Sequence, residues 1–136
     1  MRRVASALYL ILGFVIALGA YGHGFMGRRN IDVELDKFTI APNVYTMLYV
    51  VWYFVSGCML LFGVTIIWSW LRQRRGERQL LFVSYLIGLL YLASGVGGMI
   101  YRNGDRFMGT FVIEGALLLA ATYVLGRAPA AERRAA

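Results

Sequence analysis

Few side chains in this chain are equipped for chemistry. Glu114 is the single acid inside the apolar run 107–125, where it is the eighth residue. At 1.5 Å of rise per helical residue it would lie about 12 Å below a membrane surface. A charged carboxylate at that depth costs several kcal/mol, and protonation relieves the cost. Such an acid serves as a proton or cation site, or it is a neutral group hydrogen-bonded inside a helix bundle. His23 is the only histidine and follows an apolar run in Tyr21-Gly22-His23-Gly24. It could ligate a metal, relay protons to Glu114 or sit at a wet interface. Tyr49, Trp52 and Tyr91 lie in two further apolar runs, where they could line a slot for a lipid, a quinone or another apolar ligand. The cluster Arg72-Gln73-Arg74-Arg75-Gly76-Glu77-Arg78 could bind anionic headgroups, at about 1 kcal/mol per basic residue, or simply orient the chain.

Much chemistry is excluded. One cysteine, Cys58, cannot close an intrachain disulfide. One histidine rules out bis-histidine haem ligation within the chain, and no zinc-type cluster is present. Nucleotide-binding loops, a dinucleotide fingerprint, His-Glu-x-x-His and Gly-x-Ser-x-Gly are all missing. No catalytic residue, metal or cofactor is therefore expected. Small multidrug-type exchangers also combine four helices with one intramembrane glutamate, but they carry it in helix 1, which here has no acid. That likeness fails.

The elements that hold these residues follow from composition. Of 136 residues, 60% are apolar or aromatic and only 15% are charged. Soluble domains have about 45–50% and about 25%. A soluble fold of this length could not bury so much apolar surface. Four runs are long enough to cross a hydrocarbon core of about 30 Å: 4–21, 44–71, 80–101 and 107–125. Lipid admits only helices or closed barrels, and the runs do not alternate, so they are helices. The first is longer than the hydrophobic part of a cleaved signal and is taken as retained.

The net charge of +7 reflects membrane orientation rather than a nucleic-acid face. Nine basic residues fall on one side: Arg2, Arg3, Arg72, Arg74, Arg75, Arg78, Arg127, Arg133 and Arg134. Five fall on the other: Arg28, Arg29, Lys37, Arg102 and Arg106. Both termini should then be cytoplasmic, in the cell inner (plasma) membrane. Trp68 and Trp70 precede the Arg72 cluster as an interfacial belt would place them.

Turn residues mark the boundaries. Pro42 precedes helix 2 with Asn43 as its N-cap; Asn103-Gly104 make a tight turn before helix 4, capped by Asp105; Gly76 breaks the basic loop. Gly126 ends helix 4, and the tail 127–136 is expected to be disordered. The outer loop 22–43 contains Ile31–Asp36, which alternates as a strand would, although Ile31, Leu35 and Phe38 also share a helical face. Helix 3 presents Ser84, Gly88, Tyr91, Gly95 and Gly98 on one stripe, a seam of small residues suited to helix contact in lipid. Helix 1 offers Ser6, Gly13, Ala17 and Ala20. Helix 2 offers Tyr45, Tyr49, Trp52, Ser56 and Met59, whose large side chains are expected to fill the glycine groove of helix 3.

These features predict an all-α integral membrane protein. Residues 1–126 should form a single domain, a compact antiparallel bundle of four transmembrane helices. The function expected is that of a non-catalytic accessory or oligomerising membrane subunit. Its partners would be membrane lipids, further copies of itself or a larger membrane protein, and not nucleic acid. The alternatives are a proton- or cation-coupled carrier using Glu114, and a binder of a lipid or quinone-like ligand.

Overall fold

The computed structural model describes residues 1–77, 79–104 and 106–127. The expected cap at Asp105, the contribution of Arg78 and the expected disorder of the tail beyond 127 lie outside the described residues. The described chain is helical, with no strand. Its elements are α1 (Arg2–Tyr21), a π-helical segment (Gly22–Gly27), α2 (Arg28–Leu35), α3 (Pro42–Arg74), α4 (Leu81–Tyr101) and α5 (Arg106–Gly126). Four helical stretches are long and apolar enough to cross a membrane: Arg2–Leu35, Pro42–Arg74, Leu81–Tyr101 and Arg106–Gly126. Between their ends the surface is apolar, with Phe14, Leu18, Phe54, Leu61, Phe82 and Leu86 among its exposed side chains. Hydrocarbon, not water, suits such a surface.

The principal difference from the sequence reading lies in 22–35. This stretch is neither loop nor strand but continues the first helix to Leu35. Pairs at helical spacing accompany it, Arg28 to Asp32 at 3.6 Å and Lys37 to Glu34 at 2.7 Å. Only 36–41 remains as a link. Pro42 opens α3, at a position where its missing N–H is no loss, so Asn43 lies inside the helix instead of capping it. The two turns expected from glycine are present: Gly76 and Gly104 have φ of +88° and +87°, a conformation that favours glycine.

The chain divides into two compact units: Met1–Leu12 with Ile66–Ala136, and Gly13–Thr65. In the first unit α4 lies against α5 along the predicted seam. A Cβ added at Gly95 would stand 2.6 Å from the Val112 backbone nitrogen, and one at Gly98 would stand 2.6 Å from Met108 Sδ. One at Gly88 would stand 2.9 Å from Leu119 Cγ. The groove is thus filled by α5 and not, as expected, by the large side chains of helix 2. The physical reason is mutual: α5 carries Gly115, where a Cβ would stand 2.7 Å from the Gly88 carbonyl oxygen, so both backbones can approach. Ser84, the first seam residue, has another role. Its hydroxyl meets that of Tyr9, which also donates to Ser69 Oγ at 2.9 Å. All three residues are buried, and the cluster links α1, α3 and α4 through polar groups that find one another away from water.

In the second unit α1 and α3 approach closely at Gly63. A Cβ there would stand 2.6 Å from both Ala17 Cβ and the Gly13 carbonyl oxygen. Gly13 and Ala17 belong to the stripe predicted for helix 1. Gly63 was not singled out, although it continues the 4-3 spacing of Tyr45, Tyr49, Trp52, Ser56 and Met59.

Candidate functional site

The candidate residues fall into two groups, one in each unit. In the second unit, His23 and Trp52 meet between the π-helical segment and α3, and Tyr49 meets α2. The segment reads Gly-His-Gly-Phe-Met-Gly, and two of its glycines face α3. A Cβ at Gly27 would stand 2.6 Å from Trp52 Cζ2, and one at Gly24 would touch Ser56 Oγ at 3.4 Å. The widened turn therefore lies close against α3, with the Trp52 ring beside Gly27 and stacked on His23. The His23 and Trp52 ring centroids are 3.8 Å apart and 16° from parallel.

Hydrogen bonds determine the state of the imidazole. Ser56 Oγ donates its single proton to the Trp52 carbonyl at 3.0 Å. Its contact with His23 Nδ1 at 2.9 Å must then be one in which the imidazole N–H donates. Neutral His23 accordingly carries its proton on Nδ1 and its lone pair on Nε2. Trp52 Nε1–H donates to the His23 carbonyl at 2.9 Å, which anchors the ring and the segment together.

One turn further out lies an ion-pair and phenol cluster. Arg28 donates to the Tyr53 hydroxyl at 2.7 Å and lies 5.2 Å from the centre of the Tyr49 ring. The Tyr49 hydroxyl donates to Asp32. With that proton committed, the 2.9 Å contact between Tyr45 and Tyr49 has Tyr45 as donor. Tyr49 and Trp52, expected to line an apolar slot, hydrogen-bond to Asp32 and to the His23 carbonyl. His23 has one nitrogen with no hydrogen bond among the described residues. No group of three His, Cys, Asp or Glu side chains that could hold a metal occurs among the described residues.

The first unit holds Tyr91 on α4 and Glu114 on α5. Tyr91 is 4% exposed and packs on Phe111, with centroids 5.6 Å apart. Its hydroxyl is shielded from water and has no hydrogen-bond partner among the described residues. Glu114, half-buried on α5, lies within electrostatic range of that phenol. Of the basic cluster, Arg72 pairs with Glu77 at 2.8 Å and Arg74 lies over the Trp70 ring at 5.0 Å.

Sequence reasoning missed Tyr9, Ser69, Arg28 and Gly63. The first three are polar or charged residues whose partners are set by helix contact, and only Gly63 left a periodic signal. Among the described residues, fold and sites define an all-helical protein with four helices long and apolar enough to span a membrane. No protein-family model, curated protein or solved structure matches the chain.

Proposed function

We propose that this protein is an accessory or oligomerising subunit of the cell's inner membrane, with both termini cytoplasmic and its helices packed as an antiparallel bundle. The observation that carries the reading is the length of the first two helical stretches. Arg2–Leu35 has 34 residues and Pro42–Arg74 has 33. Each spans about 50 Å, against a hydrocarbon core of about 30 Å. The outer part of this pair, 22–35 and 42–52, holds itself together through His23, Trp52, Asp32 and Tyr49. Yet it leaves Phe25, Met26 and Met47 exposed. Apolar side chains beyond the hydrocarbon favour a protein partner. The orientation is supported by charge and by a common cleft lined by Arg2, Arg3, Arg74 and Leu125.

A single-cysteine scan on a Cys58→Ala background tests this. Val33→Cys should be labelled from outside, and Arg75→Cys only after permeabilisation. A thiol crosslinker should join Met26→Cys or Met47→Cys to another chain, giving a discrete adduct in native membranes. Leu86→Cys, exposed on α4, should give none. Labelling of positions 33 and 75 from the same side would overturn the orientation. Crosslinking no greater than that of Leu86→Cys would overturn the partner reading.

A second reading, a proton- or cation-coupled carrier, is favoured by the buried Tyr91 hydroxyl that lacks a partner beside Glu114. Glu114→Gln keeps shape and a donor, so assembly should be preserved. If Glu114 carries protons, proton uptake by reconstituted vesicles should fall to the protein-free rate in this variant. Uptake equal in the parent and in Glu114→Gln removes the carrier.

A further inference from the structure

At one end of the first unit, the start of α1 and the ends of α3 and α5 enclose an open cleft of about 420 Å³. Arg2, Arg3, Ser6, Gln73, Arg74 and Leu125 line it. We propose that this cleft binds the phosphate of an anionic membrane lipid. The site uses none of the residues of the proposed partner face or of the Tyr91–Glu114 pair, and stands or falls separately from them.

Four observations converge on an anion. First, three arginines and no acidic residue line the cleft, and none of the three forms an ion pair among the described residues. Neighbouring Arg72, by contrast, is neutralised by Glu77 at 2.8 Å. Like charges gathered in one cleft repel unless a counter-charge sits among them. Second, the Gln73 amide nitrogen is shielded from water and has no hydrogen-bond partner among the described residues. A buried donor in that state gains from an acceptor supplied by a ligand. Third, Ser6 Oγ accepts from Trp70 Nε1–H at 2.9 Å, which leaves its own proton available. Fourth, Arg74 lies over the Trp70 ring at 5.0 Å, which restrains its guanidinium before any ligand arrives. Guanidinium groups match phosphate in both charge and hydrogen-bond geometry.

The surroundings favour a lipid over free phosphate. Leu125 supplies an apolar wall, and the cleft lies at the ends of apolar helices, where headgroups gather. Trp68, 55% exposed less than two turns before Arg74, is a residue type enriched at the same level. A phospholipid satisfies the arginines with its phosphate and Leu125 with its glycerol and upper acyl carbons.

The test is native mass spectrometry of the full chain in detergent. It is titrated with dioleoylphosphatidylglycerol, with zwitterionic dioleoylphosphatidylcholine, and with inorganic phosphate. The expected result is selective retention of one phosphatidylglycerol per chain. Each charge removed should weaken it about fivefold, so Arg3→Gln with Arg74→Gln should weaken it about 25-fold. Arg29→Gln, outside the cleft, should bind as the parent does. Should the double variant lose its helical circular dichroism, Gln73→Leu and Arg3→Gln are compared singly, each expected to weaken retention severalfold. Equal retention of phosphatidylcholine overturns the proposal, and so does undiminished binding by the folded variants. Complete displacement of the lipid by millimolar phosphate assigns the cleft to free phosphate and overturns the lipid assignment.

Discussion

Gly95→Leu is expected to force α4 and α5 apart and to cost about 3 kcal/mol, the upper part of the range for overpacking. A flexible side chain can swing away from an added group, but the nearest atom here is the Val112 backbone nitrogen, 2.6 Å from the position of a Cβ. The Met108 carbonyl oxygen is 3.0 Å away. Relief therefore requires a helix to move, and contacts along the seam at Gly88, Gly98 and Gly115 are lost with it. The internal control is two residues along the same helix. A Cβ at Gly97 meets nothing within 4 Å. Gly97→Leu should leave the melting temperature unchanged or slightly raised, because leucine has the better helix propensity. Thermal unfolding of the two variants in detergent decides the matter. Equal melting temperatures would mean that α4 and α5 do not meet through this face.

Trp52→Ala should release the π-helical segment from α3. The indole stacks on His23, contacts Gly27 and donates to the His23 carbonyl at 2.9 Å. Its loss should cost about 3 kcal/mol, the low end for removing a packed tryptophan, since the ring is only half-buried. Trp52→Phe retains the stacked ring and removes only the N–H donor, at about 1 kcal/mol. Amide hydrogen exchange resolves the two effects locally. Exchange in 22–27 should accelerate strongly in Trp52→Ala and modestly in Trp52→Phe, with α4 and α5 unaffected. Unchanged exchange in the alanine variant would mean that the segment is held by its own backbone and not by α3.

The four helices long and apolar enough to cross a membrane were legible from residue types alone. In hydrocarbon a backbone must satisfy its own hydrogen bonds, so an uncharged apolar run of this length has one local solution whatever its neighbours. The Asn103-Gly104 turn and the break at Gly76 were legible for a related reason, since glycine and asparagine tolerate φ angles that other residues avoid. The stripe Gly88, Gly95, Gly98 likewise announced a contact face on α4.

The partner of that face was not legible. Large residues on helix 2 and medium ones on α5 both fit a glycine groove, and the choice rests on Gly115, whose complementarity exists only once two helices are aligned. The 22–35 stretch misled because alternation and glycine content are local signals. What overrides them is external: the Trp52 ring against Gly27, the Tyr49 hydroxyl on Asp32 and the Ser56 hydroxyl on His23. The union of Tyr9 with Ser69 and Ser84 joins residues 60 and 75 positions apart. Arg2 and Arg3 likewise line one cleft with Arg74, which is distant from them in sequence. Composition and periodicity decide what each segment of this chain is. Which polar groups face each other is decided by helix rotation and register, which depend on every contact at once and leave no mark in any single stretch of residues.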